Sequence, residues 1–592
     1  MSRRLFKGGE FLVAETKCED VFVTEDFDDE QRQMAETAEQ FILNEVNPKL
    51  EQIEDKDYQV TLDLLKQAGE LGLMMMDVPE EYGGLELDKS TCLRVAEAIN
   101  FRSGSFGLSL NCHTGIGSLP LIYYGTPEQK ERYLEKLAFG EMIGAYCLTE
   151  PGSGSDALAA KTTAVLSEDG KHYILNGTKQ FITNGGFADL YTVFAKVDKE
   201  HFTGFLVERN YEGCEPGPEE KKMGLNGSST TPVILTNCKV PVENVLGEIG
   251  KGHKIAFNIL NIGRLKLAGT TSGQAKEALE ESLQYTNERK QFGQKISNFG
   301  AIKEKLADMT AAIYVSESVG YRIAGMIDDR LEGIDKGGDD YYSDYLQGIE
   351  EYAGECAMAK VFCTEVFRDV ADAAVQCFGG YGYIREYPVE GLYRTERIQR
   401  LYEGTNEINR MIIPGTFVRK AGGSELALFE TAKQAVADIA SNKTIKPAGD
   451  GLFAAEYALI RNLRTVATAI YGQAAQTYQK KLGNEQEILL ALADISMQLF
   501  ALESAVLRAE KVHAGASETK RANLEAVVKT CAFDASEKFA SAARRALSFI
   551  ESDNSAALRM EILPFCIYNS DGLLQAKRTL ANAASESEKY LF

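Results

Sequence analysis

The chain is 592 residues long, 44% hydrophobic and strongly acidic, with a formal net charge of −23. Its length and apolar content suffice for several cores, while its charge argues against nucleic acid as a partner. Eleven cysteines without a C-x-x-C pair and only five histidines argue against a disulfide framework and a metal site.

No uninterrupted apolar run approaches the roughly 18 to 20 residues of a spanning helix. The basic start Met1–Lys7 meets Glu10, Glu15, Glu19 and Asp20 before any apolar core, unlike a secretory or transit peptide. The expected location is a reducing compartment: bacterial cytoplasm or, in a eukaryote, the mitochondrial matrix.

In chain order, residues 27–142 read as an N-terminal helical domain. Amphipathic runs such as Ala35–Glu45 and Leu62–Leu73 alternate with breakers at Pro48, Pro79, Gly83-Gly84 and Gly125-Thr126-Pro127. The period changes over 143–246, where β-rich segments at His172–Leu175, Leu190–Val197, Gly204–Glu208 and Pro232–Leu235 are separated by turn residues. Helical patterning returns over 251–420, interrupted by an acidic insertion, Asp328–Glu351, that reads as a solvated loop. After Ala421-Gly422-Gly423-Ser424 comes a helical extension, 425–592, in which Phe453–Tyr471 and Ile488–Leu502 have the spacing of bundle-packing helices.

The fold class that follows is multidomain and mainly α, with a central β domain. The order excludes an alternating βαβ plan, and Gly379-Gly380-Tyr381-Gly382 follows a helical stretch, so it is not a dinucleotide fingerprint.

Four segments carry chemistry. Tyr146–Asp156 places small and hydroxyl residues after a short apolar run, a loop whose backbone N–H groups can approach a flat or anionic ligand. Alone it reads more readily as a Gly-Ser connector. Lys179–Gly186 sets an aromatic, a hydroxyl and a two-glycine turn at a strand end, although Phe181 alone would more often be core. Gln376–Tyr383 and then Leu401-Tyr402-Glu403-Gly404-Thr405-Asn406-Glu407 put a carboxylate beside a glycine, where backbone can crowd a ligand.

Together and in this order the segments resemble the acyl-CoA dehydrogenase family, and the C-terminal extension is similar to its very-long-chain branch. The resemblance implies a helical domain, a β-barrel-like domain and a four-helix domain, with FAD as cofactor, a homodimer, and fatty acyl-CoA as substrate. Glu403 would be the base that removes the α-proton, giving the trans-2-enoyl-CoA of fatty-acid β-oxidation, with Gly404 leaving room at the thioester.

By the same resemblance Leu148, Thr149, Ser155, Phe181, Ile182 and Thr183 surround the flavin, Ser155 also lying near acyl-CoA. Relatives commonly carry tryptophan where Phe181 stands. Arg289 and Phe292, in Arg289–Gly293, would serve the FAD of a neighbouring subunit, Gln376, Gly379 and Gly380 its adenosine end, and Thr405 and Glu407 also touch the cofactor. Without the resemblance Arg289 would be read as pairing with Glu288 or Glu304 on a helix surface. Asn261 and Arg264 would line the substrate side. Gly263, where some relatives carry the base, has no side chain here. Relatives commonly have aspartate after the arginine matching Arg394, whereas this chain reads Arg394-Thr395-Glu396-Arg397, so a rearranged salt-bridge pattern is expected.

Leu108 and Cys112 stand where medium-chain members carry bulky polar groups, which implies a deep apolar pocket and a long acyl chain. His113 beside them reads as structural. The expected electron acceptor is electron-transfer flavoprotein, the alternatives being an oxidase that uses O2 or a non-catalytic assembly or binding member of the family. Weak peripheral membrane contact through the extension is a further expectation from the very-long-chain branch.

Overall fold

The computed structural model describes residues 3–338 and 340–592. Contacts gather the chain into two compact units, each assembled from separated segments. One, the mixed unit, comprises Asp28–Gln274 and Ile334–Glu350; the other, the helical unit, comprises the N-terminal residues through Phe27, Ala275–Gly333 and Glu351–Phe592.

The mixed unit starts with helix Asp29–Phe41, begun by a reciprocal cap. The Asp28 carboxylate accepts from the Gln31 N–H at 2.8 Å, and the Gln31 side chain accepts from the Asp28 N–H at 3.1 Å. Ala35, Ala38 and Phe41 form its buried stripe. Thr126, followed by Pro127, starts helix Pro127–Ala138 in the same way.

The sheet contains eight strands: β1 Gly144–Cys147, β2 Thr163–Leu166, β3 His172–Thr183, β4 Leu190–Val197, β5 His201–Glu208, β6 Cys214–Pro216, β7 Thr230–Pro241 and β8 Val245–Leu246. Their order is β6-β7-β3-β2-β4-β5-β8, with β1 and β2 both running parallel to β4 and the remaining neighbours antiparallel. The strands at His172 and Pro232 are longer than expected, because β3 and β7 stay paired through irregularities between Leu175 and Gly177 and between Lys179 and Ile182 that break the alternation a sequence reader counts.

The acidic insertion is not a solvated loop. Its first residues, through Glu332, prolong helix Gly300–Glu332, and Tyr341–Glu350 is a helix of its own. Tyr345 stacks on Tyr123 at 5.1 Å between centroids, the Lys130 ammonium sits 3.6 Å from the Tyr342 ring centre, and Tyr341 donates to Glu86 at 3.2 Å. An aromatic face spaced one turn apart, hidden among Gly and Asp, overrides the polar composition.

In the helical unit the end of the long helix Gly252–Glu288 joins Gly300–Glu332, Ala353–Phe378, Val389–Gln399, Asn406–Gly422 and the extension helices Leu428–Ala440, Ala454–Tyr478, Gln486–His513, Glu518–Phe549 and Leu573–Ser587. Gln486–His513 is long and apolar enough to cross a membrane, yet 83% of its apolar window is buried inside the unit, where it serves as a bundle core. The N-terminal arm packs on the same unit: the Arg464 Nε–H donates to the Phe11 carbonyl at 2.9 Å, and the Gly9 N–H to Glu355 at 2.6 Å. Arg508 is fully buried, donating to Glu317 and Glu25 at 3.0 Å each, the compensation a buried guanidinium requires.

Candidate functional site

In the mixed unit the loop after β1 is fixed from below. Glu150 is buried and accepts from Lys179 at 2.7 Å, from the Lys161 N–H at 2.6 Å and from the Thr162 N–H at 3.0 Å. Burial pushes its carboxyl up, but the Lys179 ammonium and these donors outweigh that and hold it below the ordinary carboxylate range. The Gln180 N–H donates to the Thr149 carbonyl at 2.8 Å. Leu148 and Thr149 are thereby tied to the end of β3, beside Phe181, Ile182 and Thr183.

The β-bulge places Phe181 at φ 59°, a region costly for an aromatic residue, and turns its ring outward, 63% exposed. A Cβ on Gly152 or Gly154 would meet nothing within 4 Å, so the loop carrying exposed Ser155 leaves open space above its backbone. The helix Gly104–Cys112 adjoins this strand end: Asn184 donates to the Ser109 carbonyl at 2.9 Å and the Cys112 thiol lies 3.9 Å from the Thr183 carbonyl. Leu108 is half-buried on that helix.

His113 is structural, as expected. Its Nε2–H donates to the Leu137 carbonyl and Nδ1 accepts from the Gly144 N–H, both at 3.0 Å, and burial lowers its pKa to about 4. Asn261 and Arg264, one turn apart on Gly252–Glu288, are buried together, the guanidinium donating to the Asn261 side-chain oxygen at 2.9 Å.

The helical unit holds the remaining candidates in two places. Arg289 follows the long helix and leads into the hairpin Lys290–Gln291/Gln294–Lys295, whose turn residues Phe292 and Gly293 both have positive φ, 51° and 80°. Phe292 stands 93% exposed at its tip. Beside it, Ala353–Phe378 carries exposed Gln376 and ends at Gly379, whose φ of 61° and ψ of −136° suit only glycine. A cleft of about 480 Å³ lies between them, lined by Tyr285, Arg289, Phe378, Gly379, Gly380 and Tyr381. Tyr285 stacks on Phe378 at 4.1 Å and Arg289 lies 5.6 Å from the centre of the Tyr381 ring. Glu304, one of the two alternative partners of Arg289, lies 3.6 Å from Lys577.

The second place is the turn between Val389–Gln399 and Asn406–Gly422. Glu403 is half-buried there at φ 56°, with Gly404 at 81°. Asn409 donates its amide to the carbonyls of Glu403, Gly404 and Thr405 at 3.3, 2.9 and 3.1 Å, and Lys360 donates to the Gly404 carbonyl at 2.8 Å. The Thr405 hydroxyl caps the next helix by accepting from the Ile408 N–H at 3.2 Å, and Glu407 is exposed in its first turn. In the Arg394 region Arg394 pairs with Glu390 at 2.7 Å and Arg400 with Glu396 at 3.0 Å.

Sequence reasoning missed Lys179, Glu150, Lys360 and Asn409 as positioning groups. Lys179 had a signal: it continues the inward parity of Tyr173 and Leu175 on β3, where a lysine needs a partner. Lys360 had none, because it is 44 residues from the carbonyl it meets. Among the described residues no His/Cys/Asp/Glu group suits a metal ion. In the mixed unit the exposed aromatic beside an open small-residue loop suits a flat ring, and in the helical unit the aromatic cleft with a cation and bare glycine backbone suits a phosphate-bearing group.

Comparisons agree with that geometry. Family models described as the acyl-CoA dehydrogenase N-terminal, middle and C-terminal domains match residues 28–141, 145–238 and 250–415, and a further C-terminal domain model matches 462–563. The chain is 44% identical over 585 residues to a Bacillus subtilis (strain 168) protein named "Probable acyl-CoA dehydrogenase", covering 99% of this chain and 98% of that one. It is 36% identical over 496 residues to the human mitochondrial very long-chain specific acyl-CoA dehydrogenase, covering 78% and 71%. A crystal structure of an acyl-CoA dehydrogenase complexed with FAD from Bacillus anthracis superposes with a TM-score of 0.96 at 45% identity, over 99% of this chain and all of that one.

Proposed function

This chain belongs to the acyl-CoA dehydrogenase family, with FAD as its cofactor, and on that premise we propose that it oxidises long-chain fatty acyl-CoA to the trans-2-enoyl-CoA, with Glu403 as the base. The observation that carries the assignment is the turn at Glu403. A carboxylate-bearing residue at φ 56°, next to a glycine at 81°, in a turn held by three carbonyl bonds from Asn409, is a costly arrangement.

Bound FAD supplies the acceptor for the β-hydride. Phe181, Ile182 and Thr183, with Leu148, Thr149 and Ser155, hold its ring; Arg289 and Phe292 with Gln376, Gly379 and Gly380 hold the pyrophosphate and adenosine end in a homodimer; Thr405 and Glu407 add contacts. Glu403 takes the α-proton onto its carboxylate, and Gly404 lets backbone approach the thioester. Asn261 and Arg264 orient substrate, and Leu108 and Cys112 leave apolar room for a long chain. The 36% identity to a very long-chain enzyme supports that length class.

Electrons pass to electron-transfer flavoprotein in a cytoplasmic or matrix setting. Reoxidation by O2 at turnover rates would point to an oxidase instead. The membrane contact proposed for the extension is weak and peripheral, a reading in keeping with Gln486–His513 spending its apolar surface inside the bundle.

The test is anaerobic mixing of the FAD-loaded protein with acyl-CoAs of graded length while following flavin absorbance. We expect bleaching that is strongest with long chains. Glu403→Gln should retain FAD but lose about 10²- to 10⁴-fold in the reduction rate, and wild-type reduction by that variant would sink the assignment.

A further inference from the structure

We infer that the C-terminal extension positions the base turn, and that Asp494 is the residue through which it does so. The inference rests on Glu403 being the base. Followed outward from Glu403, the hydrogen bonds form a continuous chain within the helical unit. Lys360, which donates to the Gly404 carbonyl, also donates to the Asn406 side-chain oxygen at 2.7 Å. Asn406 in turn donates to Glu365 at 3.0 Å. Glu365 receives Arg410 in a two-pronged pair at 2.6 and 2.8 Å, and the Arg410 Nε–H donates to Asp494 at 2.8 Å. The other Asp494 oxygen receives Arg545.

Four helices are joined in this way. Lys360 and Glu365 lie on Ala353–Phe378, Asn406, Asn409 and Arg410 on the helix begun at Asn406, Asp494 on Gln486–His513, and Arg545 on Glu518–Phe549. The last two belong to the extension.

The chemistry gives Asp494 a task that packing does not. Asp494 is the one charged residue of the mostly apolar stretch Ile488–Phe500 and lies partly buried in the middle of a core helix, where desolvation is costly unless a specific partner offsets it. A carboxylate on the two terminal nitrogens fixes one edge of a guanidinium but leaves it free to pivot; a second carboxylate on Nε fixes its plane. Arg410 sits one residue beyond Asn409, whose amide holds the three carbonyls of the base turn. Setting the Arg410 plane therefore sets the first turn of that helix and the attitude of Glu403. Asp494 is thus a positioning residue, acting through Arg410 and Asn409. Glu365, Arg410 and Asp494 also line one side of a cleft of about 430 Å³, which gives small ions access to the pair.

The experiment uses the full-length, FAD-loaded enzyme and anaerobic flavin reduction by a C16 acyl-CoA. Asp494→Ala should slow the limiting rate of reduction roughly three- to tenfold, the scale of a small misplacement of a reacting group, with little change in the acyl-CoA concentration that half-saturates it. Millimolar formate, a small carboxylate that enters the cleft, should restore part of the rate in Asp494→Ala and leave wild type unchanged. Arg545→Gln, at an exposed site, should show a weaker slowing of the same kind and serves if Asp494→Ala does not fold. Wild-type reduction by both variants overturns the inference, as does a slowed Asp494→Ala that ignores formate. Reduction surviving in Glu403→Gln would instead remove the base assignment, so the two failures are separate.

Discussion

Phe181 in the mixed unit and Glu403 in the helical unit occupy the same rare backbone region, φ 59° and 56°, and are held there by different means. Behind Phe181 lies a buried ion pair, Lys179 with Glu150, which pins a β-bulge to the neighbouring loop. At the Glu403 turn the carbonyls rest on a neutral amide, Asn409, and on Lys360, while the carboxylates Glu365 and Asp494 stand further out around Arg410. Full charges sit directly behind an uncharged ring. Around a base, the compensating negative charge is kept at a distance, where it can position without competing with the proton the base must take.

The largest expected break in this comparison is Lys179→Met. It leaves Glu150 buried without its cation and should cost about 3 to 5 kcal/mol, read by calorimetry as a loss confined to the transition that involves the mixed unit. An unchanged melting profile would show that the bulge, and not the ion pair, holds the loop.

A pH series sharpens the contrast next, since two carboxyls shift in opposite senses. Glu150 is held below the ordinary range, so its stabilisation is present above the unfolded value and is lost as pH falls toward the folded one. Glu355, buried against the Gly9 N–H, is pushed by burial from 4.5 up to about 7. Its contribution is complete below the unfolded value and is lost as pH rises through about 7, at most about 3 kcal/mol. Glu355→Gln should flatten that neutral limb and leave the acid limb in place; chemical denaturation at pH 5, 6, 7 and 8 checks both.

Asn409→Ala comes third, removing the donor shared by three carbonyls at a cost of about 1 to 3 kcal/mol. It should slow flavin reduction while FAD binding persists, and wild-type reduction would show that helix capping by Thr405 is enough. Phe181→Trp is the mildest, within about 0.5 kcal/mol in stability, because the ring is exposed. It should appear as a shift in flavin absorbance with acyl-CoA oxidation retained, and an identical spectrum would mean that this side chain does not face the flavin.

Legibility in the sequence followed the range of the interaction. The helix starts at Asp28 and Thr126 depend on caps whose partners lie three residues away, a local signal, although Gly125-Thr126-Pro127 reads in the sequence only as a breaker. Leu148, Thr149 and Phe181–Thr183 were visible as motifs, and the structure gathers them at one strand end through the Gln180 to Thr149 bond. The tyrosine helix of the insertion was missed because Gly and Asp dominate its surroundings, and its aromatic face buries against groups such as Tyr123, Lys130 and Glu86, more than 200 residues earlier in the chain.

The sequence by itself determined the helical and β regions, the FAD and acyl-CoA chemistry that its motifs imply, and Glu403 as the candidate base, since each rests on residues close together in the chain. The tertiary structure decided how those residues are held. The Lys179–Glu150 anchor, the Lys360 and Asn409 grip on the base turn and the reach of Asp494 into it join groups from 4 to 84 residues apart, and a packed core brings such groups to about 3 Å and excludes the water that would otherwise satisfy them.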